Sequence, residues 1–369
     1  MSCDFLELAN SAVQTLHPYQ AGKPTDELER ELGISDIVKL ASNENPLGLS
    51  AAVKSALQEE LCGLTRYPDA NGYYLKEALA NKYGVELNQV TLGNGSNDLL
   101  ELIARAFVNT ENEVIFAQHA FVVYPLVTQA IGAKSVLVPA KNYGHDLDAM
   151  AAAITTKSKL IFIANPNNPT GTFLQQDALY AFLAKVPETV LVVLDEAYFE
   201  YADPALRGNA IEWIKTFPNL IVSRTFSKAY GLAGLRIGYT ISNAQIAAIL
   251  NRLRQPFNCN ALALKAAQTV LQDDQYLQDV IQLNNAGMAD LSAFFSAYGL
   301  DFIPSMGNFI SVDVQQSGDL VYQGLLQEGV IVRPVTGYGL PHHLRISIGT
   351  ETENQRFKQA LIKVLKLES

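Results

Sequence analysis

Lys228 is the residue whose surroundings best suit it to chemistry. It lies among hydroxyl, glycine and other small side chains, in a segment that runs from Ser223 to Arg236 and reads Ser-Arg-Thr-Phe-Ser-Lys-Ala-Tyr-Gly-Leu-Ala-Gly-Leu-Arg. A lysine amine is protonated at neutral pH, so it forms an imine readily only when burial or a nearby cation lowers its pKa. Arg236 can supply that cation and can also hold a phosphate. The segment therefore predicts a lysine that carries a cofactor.

Two further polar motifs follow apolar runs upstream of this lysine. Asn-Pro-Asn-Asn-Pro-Thr-Gly, residues 165–171, comes after the apolar run 160–164, and Asp-Glu-Ala-Tyr, residues 195–198, comes directly after the run 190–194. Ligands of open parallel sheets bind at the carboxyl ends of the strands. We therefore expect Lys228 and both motifs to meet at one edge of a sheet.

The elements that must position these motifs are short apolar runs that alternate with helical patterns. Runs rich in Val, Ile and Leu suit strands that are buried on both faces, and their alternation with helices predicts a mostly parallel sheet that helices cover, hence an α/β fold. The predicted strands are 114–117, 135–138, 160–164, 190–194, 220–223 and 237–241, with helices at 124–131 and 177–185.

A second, smaller unit is predicted beyond this sheet. The pattern is helical from about 244 to 297, with a break near Pro256, and short strands then alternate with helices. This mixture predicts a compact α+β domain, in keeping with a chain of 369 residues, which exceeds one typical domain. The later predicted elements are strands at 309–312, 330–332 and 344–348 and helices at 319–328 and 351–367. We predict an arm at 1–40, a large domain at 41–255 and a small domain at 256–369.

Composition excludes several classes of protein. The formal net charge of -10 disfavours non-specific binding to nucleic acid, which needs a basic face, and favours a small-molecule substrate. Three scattered cysteines do not suit a disulfide framework or a zinc site, and the adjacent histidines at 342 and 343 would point to opposite faces, so no metal is expected. The start lacks the pattern of a signal peptide, and the chain has no apolar run of membrane-spanning length. We expect a soluble, cytoplasmic protein.

In this order the three motifs resemble those of the fold-type I aminotransferases that use pyridoxal 5'-phosphate (PLP). The flanking sequence is most similar to the histidinol-phosphate aminotransferases, from about Leu40 to Arg345, and includes Leu-Ala-Ser-Asn-Glu-Asn-Pro-Leu-Gly at 40–48 and Arg-Tyr-Pro-Asp at 66–69. The resemblance implies a homodimer that exchanges the amino group of L-histidinol phosphate with 2-oxoglutarate in histidine biosynthesis, giving imidazole acetol phosphate and L-glutamate. It also implies that the arm packs on the neighbouring subunit.

The resemblance implies a role for each motif. Lys228 would bear PLP and move the proton, while Asp195 would keep the pyridine nitrogen protonated so that the ring can act as an electron sink. Asn168 and Tyr198 would hydrogen-bond the ring's phenolate oxygen and so keep the imine pKa low. Phe121 would stack on the ring, with Tyr124 as an alternative for that role.

The phosphate of the cofactor would lie in a cup at the start of a helix. The turn at 93–98 reads Gly-Asn-Gly-Ser-Asn-Asp and leads into an apolar helix, whose first amides and positive dipole end suit an anion. The resemblance implies that the partner subunit supplies one member of the cup, Tyr67. The members from the same chain would be Gly95, Ser96, Asn97, Thr225, Ser227 and Arg236.

Substrate recognition is expected to use two arginines. Arg345 places a charge inside the apolar run 344–348, which is costly unless an anion pairs with it, and Arg333 follows the run 330–332. The resemblance implies that both arginines and Tyr19 of the partner's arm hold the phosphate of histidinol phosphate, that the carboxylates of glutamate reuse the arginines, and that Asn45 also contacts substrate.

Alternatives remain open at this point. An aromatic amino-acid aminotransferase and a threonine-phosphate decarboxylase share the fold and differ in the pocket around the substrate side chain. A nicotinamide-dependent oxidoreductase is suggested by the turn at 93–98, but that turn lacks the third glycine of the dinucleotide fingerprint and leaves Lys228 and Asp195 unexplained. A non-catalytic regulatory protein of the same fold would not need the intact lysine and aspartate.

Overall fold

The computed structural model describes residues 3–17 and 22–367. The helices in these ranges are α1 (Phe5–Leu8), α2 (Ser11–Gln14), α3 (Thr25–Leu32), α4 (Ala51–Glu60), α5 (Tyr73–Tyr83), α6 (Ser96–Phe107), α7 (Val123–Ile131), α8 (Leu147–Ala152), α9 (Gln176–Leu183), α10 (Ala210–Trp213), α11 (Ala244–Leu253), α12 (Ala261–Val270), α13 (Asp274–Ala297), α14 (Gly318–Gln327) and α15 (Glu351–Leu365). None of these helices is both long enough and apolar enough to cross a membrane.

The strands form one large sheet, one small sheet and an isolated pair. They are β1 (Val38–Lys39), β2 (Val90–Gly93), β3 (Glu113–Ala117), β4 (Lys134–Val138), β5 (Ser158–Ala164), β6 (Leu191–Asp195), β7 (Leu220–Thr225), β8 (Gly238–Ser242), β9 (Phe302–Ile303), β10 (Phe309–Asp313), β11 (Val330–Ile331), β12 (Arg333–Pro334) and β13 (His343–Ser347). The large sheet has the order β2-β8-β7-β6-β5-β3-β4. Strands β7, β6, β5, β3 and β4 run parallel, whereas β8 is antiparallel to both of its neighbours.

Helices cover the large sheet on both faces. Successive side chains of β5 enter two different cores, with Ile161 and Ile163 on one face and Leu160 and Phe162 on the other. Side chains of α5, α8 and α9 fill the first core, and those of α6, α7 and α11 fill the second. The predicted α/β class and mostly parallel, helix-covered sheet are confirmed.

The sequence prediction was wrong in two details of this sheet. The strand predicted at 135–138 is not buried on both faces, because it is the edge strand β4, where Leu137 is 57% exposed. Strand β2 was not predicted, since it has only four residues and ends in Gly93. A local pattern of apolar residues shows neither that β4 lies at the edge of the sheet nor that β2 pairs with β8, about 150 residues later.

The small sheet is antiparallel and has the order β12-β13-β10-β9. Its core joins Ile310 and Ile346 to Phe295 of α13, Leu325 of α14 and Phe357 of α15. This arrangement is the predicted smaller α+β unit. The boundary between residues 255 and 256 stays a prediction.

The described part of the predicted arm packs on its own chain. Strand β1 pairs in parallel with β11, and Leu28 of α3 lies in one core cluster with Leu326 and Ile331. Farther upstream, Gln129 of α7 donates a hydrogen bond to the Thr15 hydroxyl at 3.1 Å. Packing of the arm on a neighbouring subunit stays a prediction.

Candidate active site

The three sequence motifs meet at the carboxyl end of the large sheet. Strands β5, β6 and β7 are adjacent and parallel, and their register aligns Ala164 with Asp195 and Asp195 with Ser223. A cavity of about 200 Å³ opens at this edge. The predicted site residues that line it are Ser96, Asn97, Phe121, Asn168, Asp195, Tyr198, Thr225, Ser227, Lys228, Arg236, Arg333 and Arg345.

Lys228 lies three residues beyond the end of β7. Its Nζ donates a 3.0 Å hydrogen bond to the carbonyl oxygen of Ser42 and lies 5.7 Å from the centre of the Tyr198 ring. Burial, together with the charges of Arg345 and Arg236, lowers the pKa of this amine to about 8. A substantial neutral fraction therefore exists at mildly alkaline pH, as a nucleophilic amine requires.

Asp195 ends β6 with its carboxylate buried. Its Oδ2 accepts a 2.9 Å hydrogen bond from the Tyr124 hydroxyl, whereas its Oδ1 has no hydrogen-bond partner among the described residues. Burial raises the pKa of Asp195 to about 6, and the Tyr124 bond opposes that rise. A buried oxygen of this kind is costly unless a donor reaches it, so the residue fits a ligand that presents a protonated ring nitrogen.

The two aromatic candidates for ring stacking occupy different places. Phe121 is partly exposed and lines the cavity. Tyr124 is fully buried, stacks on Phe162 with 4.5 Å between ring centroids, and turns its hydroxyl toward Asp195. This hydroxyl bond was not predicted, because no local pattern relates two residues 71 positions apart.

Tyr198 lies between two side-chain amides. Its hydroxyl oxygen accepts hydrogen bonds from Nδ2 of Asn168 at 3.2 Å and from Nδ2 of Asn43 at 2.9 Å. Burial raises the pKa of Tyr198 to about 12, so the phenol is neutral at physiological pH. Asn43 was not predicted as a site residue, although it lies in the segment 40–48 that carried the family resemblance.

Asn45, which was predicted to bind substrate, is not among the described residues that line the cavity. Its amide nitrogen donates to the Ala229 carbonyl at 2.9 Å and to the Tyr276 hydroxyl at 3.0 Å. These bonds hold the backbone directly after Lys228. The structure therefore places Asn45 where it supports the lysine loop, and gives no contact of Asn45 with the cavity.

Two arginines lie opposite each other on adjacent strands of the small sheet, and both line the cavity. Arg345 of β13 pairs across the ladder with Arg333 of β12. The guanidinium of Arg345 donates to Oδ1 of Asn168 at 2.6 Å and to the Ala41 carbonyl at 2.7 Å. Neither of these two acceptors carries a formal charge. The two positive guanidinium groups repel each other. An anion bound in the cavity would offset this repulsion and would be attracted by both side chains.

The turn before α6 forms an anion cradle with Arg236. Gly95, at φ 85°, is the N-cap of this helix, and the Arg236 guanidinium donates to the Ser227 hydroxyl at 3.2 Å. A Cβ at position 95 would run into that guanidinium. The positive φ and this close approach both favour glycine, which leaves room for the Arg236 guanidinium beside the first turn of α6, where backbone amides suit an anion.

The loop of this cradle is itself held in place. Asp98 accepts hydrogen bonds through Oδ2 from the Asn94 backbone at 2.8 Å and from the Asn258 amide at 3.0 Å. Behind the site, Glu196 and Arg224 form a buried ion pair with a 2.8 Å contact. None of these five residues was predicted as a site residue, because each acts through a partner that only packing brings close.

Two tyrosines, Tyr67 and Tyr19, were predicted to reach the site of a partner subunit, and the structure describes only the first. Tyr67 is 82% exposed and stacks on Phe257 with 4.6 Å between ring centroids. Tyr19 lies outside the described residues. Across residues 3–17 and 22–367, no group of three or more His, Cys, Asp or Glu side chains is arranged to hold a metal ion.

Comparison with known proteins connects this site to a family. The model of the family described as aminotransferase class I and II matches residues 35–361. The chain is 62% identical to histidinol-phosphate aminotransferase 1 of Idiomarina loihiensis, over 97% of this chain and 98% of that protein. It is 58% identical to histidinol-phosphate aminotransferase 2 of Pasteurella multocida, over 98% of this chain and all of that protein. The structure is similar to that of histidinol-phosphate aminotransferase from Sinorhizobium meliloti in complex with pyridoxal 5'-phosphate, with a TM-score of 0.91, 30% identity and 97% coverage of both chains.

Proposed function

Because the chain belongs to the class I and II aminotransferase family, we propose that it transfers the amino group of L-histidinol phosphate to 2-oxoglutarate, with PLP as its cofactor. The observation that carries the choice of substrate is the 62% identity with a histidinol-phosphate aminotransferase over 97% of this chain. The cavity supports the choice of cofactor, since it brings together a lysine amine, an unsatisfied carboxylate oxygen and an anion cradle.

When bound, PLP supplies a protonated pyridine ring that stabilises negative charge at the alpha carbon of the substrate. Asp195 fits the ring nitrogen, because its Oδ1 is buried and receives no hydrogen bond from the part of the chain that the structure describes, while Tyr124 holds its Oδ2. Phe121 lines the cavity and would contact the face of the ring.

Lys228 would attach the cofactor and then move a proton at its Nζ. The amine has a pKa of about 8, because burial and the charges of Arg345 and Arg236 disfavour its protonated form. A base with a pKa near the working pH can both take and return a proton. The contact of Nζ with the Ser42 carbonyl orients the amine in the cavity.

The cradle at the start of α6 would hold the phosphate of the cofactor. Ser96 and Asn97 lie in the first turn of this twelve-residue helix, and Arg236 approaches over Gly95. Thr225 and Ser227 add hydroxyl groups to the same wall of the cavity. Backbone amides, hydroxyls and a guanidinium together suit a doubly charged phosphate.

Arg345 and Arg333 would bind the anionic ends of the two substrates in turn. Both line the cavity on adjacent strands. The phosphate of histidinol phosphate and a carboxylate of 2-oxoglutarate can therefore bind the same two arginines in turn. A guanidinium accommodates either anion bidentately. We further infer a cytoplasmic homodimer in which Tyr67 and Tyr19 of each chain reach the neighbouring site, supported by the exposure of the Tyr67 ring.

The substrate is tested by initial rates with a panel of amino donors. Histidinol phosphate should give the highest kcat/KM, compared with phenylalanine and tyrosine, and O-phosphothreonine should release no carbon dioxide. A preference for an aromatic amino acid would overturn the substrate assignment and leave the cofactor assignment standing.

The cofactor is tested separately with sodium borohydride and mass spectrometry. Borohydride should link PLP irreversibly to Lys228 in the wild-type protein. The Lys228→Arg variant keeps the charge but should acquire no covalent cofactor. A labelled lysine elsewhere, or full transamination by Lys228→Arg, would overturn the proposed site, and a wild-type protein that binds PLP but turns over no amino donor would indicate the regulatory alternative.

A further inference from the structure

The phenol of Tyr198 has both of its acceptor positions occupied by amide donors. One donor is Nδ2 of Asn168 at 3.2 Å and the other is Nδ2 of Asn43 at 2.9 Å. A phenol oxygen accepts two hydrogen bonds and donates one. With its oxygen accepting both of these bonds, the hydroxyl proton of Tyr198 is left for a third group, and Tyr198 lines the cavity.

Asn43 is oriented so that it can only donate to Tyr198. Its Oδ1 accepts a 3.0 Å bond from the Ser347 hydroxyl, and the same hydroxyl oxygen accepts the backbone N–H of Asn43 at 2.8 Å. The Asn43 carbonyl accepts a 3.1 Å bond from the side-chain amide of Asn308. With its oxygen committed to Ser347, the amide presents its N–H group to Tyr198.

The backbone at this position also favours asparagine. Asn43 is 1% exposed and has a φ of 54°, in the left-handed region that asparagine tolerates better than most residues. Its partner Ser347 lies two residues from Arg345 on β13, so both side chains leave the same face of that strand. Strand β13 therefore holds both amides that flank Tyr198. Its Arg345 donates to the oxygen of Asn168, and its Ser347 donates to the oxygen of Asn43.

We propose that Asn43, anchored by Ser347, is a positioning residue that makes Tyr198 a hydrogen-bond donor toward the cofactor. This inference rests on the proposed function, since the acceptor in the cavity is the phenolate oxygen of PLP. A donor at that oxygen stabilises its negative charge and so favours the deprotonated form of the linkage between Lys228 and the cofactor. Asn43 also lines the cavity, and its side-chain amide acts on the cofactor through Tyr198.

The test is a spectrophotometric pH titration of the cofactor-loaded protein. Asn43→Gly removes the amide, tolerates the left-handed backbone and keeps the backbone bonds to Ser347 and Asn308. Loss of one neutral hydrogen bond should raise the pH midpoint of the cofactor absorbance change by about half a unit to one unit. Ser347→Ala, which leaves Asn43 in place but releases its oxygen, should raise the midpoint in the same direction by a smaller amount.

Two further variants separate positioning from general damage. In a Tyr198→Phe background, Asn43→Gly should leave the midpoint unchanged, because the phenol through which it acts is gone. Asn142→Gly is the matched control, since Asn142 is an exposed asparagine with a φ of 50°. It should leave both the midpoint and the affinity of the apoprotein for PLP at wild-type values.

The outcomes distinguish this inference from the proposed function. An unchanged midpoint in Asn43→Gly and Ser347→Ala, or an equal shift with and without Tyr198, overturns the role of Asn43 alone. If Asn43→Gly does not fold, Ser347→Ala decides by the same criterion. A wild-type protein without a pH-dependent cofactor band overturns the proposed function as well.

Discussion

The hydroxyl of Tyr124 donates a 2.9 Å hydrogen bond to Oδ2 of Asp195, the carboxylate at the end of β6. Tyr124 is fully buried and its ring lies parallel to that of Phe162, with 2° between the planes. The bond uses one carboxylate oxygen and leaves Oδ1 for a ligand. It also opposes the rise in the Asp195 pKa that burial causes. Tyr124 of α7 thus helps to set both the position and the charge of the carboxylate, together with the backbone N–H of Ala197, which also lowers the pKa of Asp195.

Tyr124→Phe should weaken PLP binding by the apoprotein about tenfold or more, because a hydrogen bond to a charged group contributes roughly 1.5 to 3 kcal/mol. Without that bond the pKa of Asp195 rises further above about 6, so the loss should be larger at pH 6 than at pH 8. Fluorescence titration of the apoprotein with PLP at both pH values measures this loss of affinity. Tyr180→Phe, at an exposed tyrosine, should bind PLP like the wild type; equal affinity of both variants would contradict the role of Tyr124.

Lys228→Met should remove a pH dependence from the stability of the apoprotein. Burial lowers the pKa of Lys228 from 10.5 to about 8, so the unfolded chain binds more protons than the folded one between these values. The free energy of unfolding from this group therefore rises as pH increases through that window. Urea denaturation at pH 8 and pH 10 should show a smaller increase for Lys228→Met than for the wild type. The exposed Lys157→Met should keep the wild-type slope, and an unaltered slope in Lys228→Met would argue against the lowered pKa.

Gly95→Ala should impair the anion cradle, since the added methyl group would displace the Arg236 guanidinium. We expect the apoprotein to lose about tenfold or more in PLP affinity, the scale of one charged hydrogen bond. Gly84→Ala is the matched control, because Gly84 has a φ of 64° but nothing within 4 Å of an added Cβ. It should lower thermal stability while leaving PLP affinity unchanged. Equal affinity losses in both variants would point to backbone strain instead of the cradle.

Arg345→Lys should reduce kcat/KM for histidinol phosphate and for 2-oxoglutarate by about ten- to a hundredfold, because lysine keeps the charge but cannot form two parallel bonds to an anion. It would also lose the contact with Asn168. Steady-state kinetics of both half-reactions measure the effect. Arg105→Lys, on the exposed face of α6, should change neither value. A loss confined to one substrate would show that the two anions do not share this residue.

Mixtures of two inactive variants test the contribution of the partner subunit. If Tyr67 of one chain completes the site of the other, a dimer of Lys228→Ala and Tyr67→Phe chains contains one site with neither substitution. Activity should then reappear on mixing, in proportion to the amount of hybrid dimer. The two chains carry different affinity tags, so the hybrid dimers can be isolated and assayed. Isolated hybrids without activity would place Tyr67 outside the neighbouring site.

Local patterns in the sequence were sufficient to find most strands of the large sheet and the motifs at the ends of β5, β6 and β7. A buried parallel strand reads as a short apolar run, and polar residues directly after it lie at the edge where ligands bind. This pattern predicts that Asn168, Asp195 and Lys228 lie at one edge of the sheet, where the structure has the cavity. The substrate class came from similarity to a family, since pocket shape depends on side chains that no period in the sequence connects.

The tertiary structure decided which polar groups act on one another. Asn43 and Asn45 are both asparagines in one short segment, yet only packing reveals that Asn43 donates to Tyr198, 155 positions away, while Asn45 supports the loop after Lys228. Likewise, only the fold shows that Phe121 lines the cavity, whereas its alternative Tyr124 is buried behind it and bonds Asp195. The sequence by itself determined which chemical groups reach this edge of the sheet, because strand endings are local. Only the fold determined their charge states and hydrogen-bond directions, because these depend on burial and on partners that are distant along the chain.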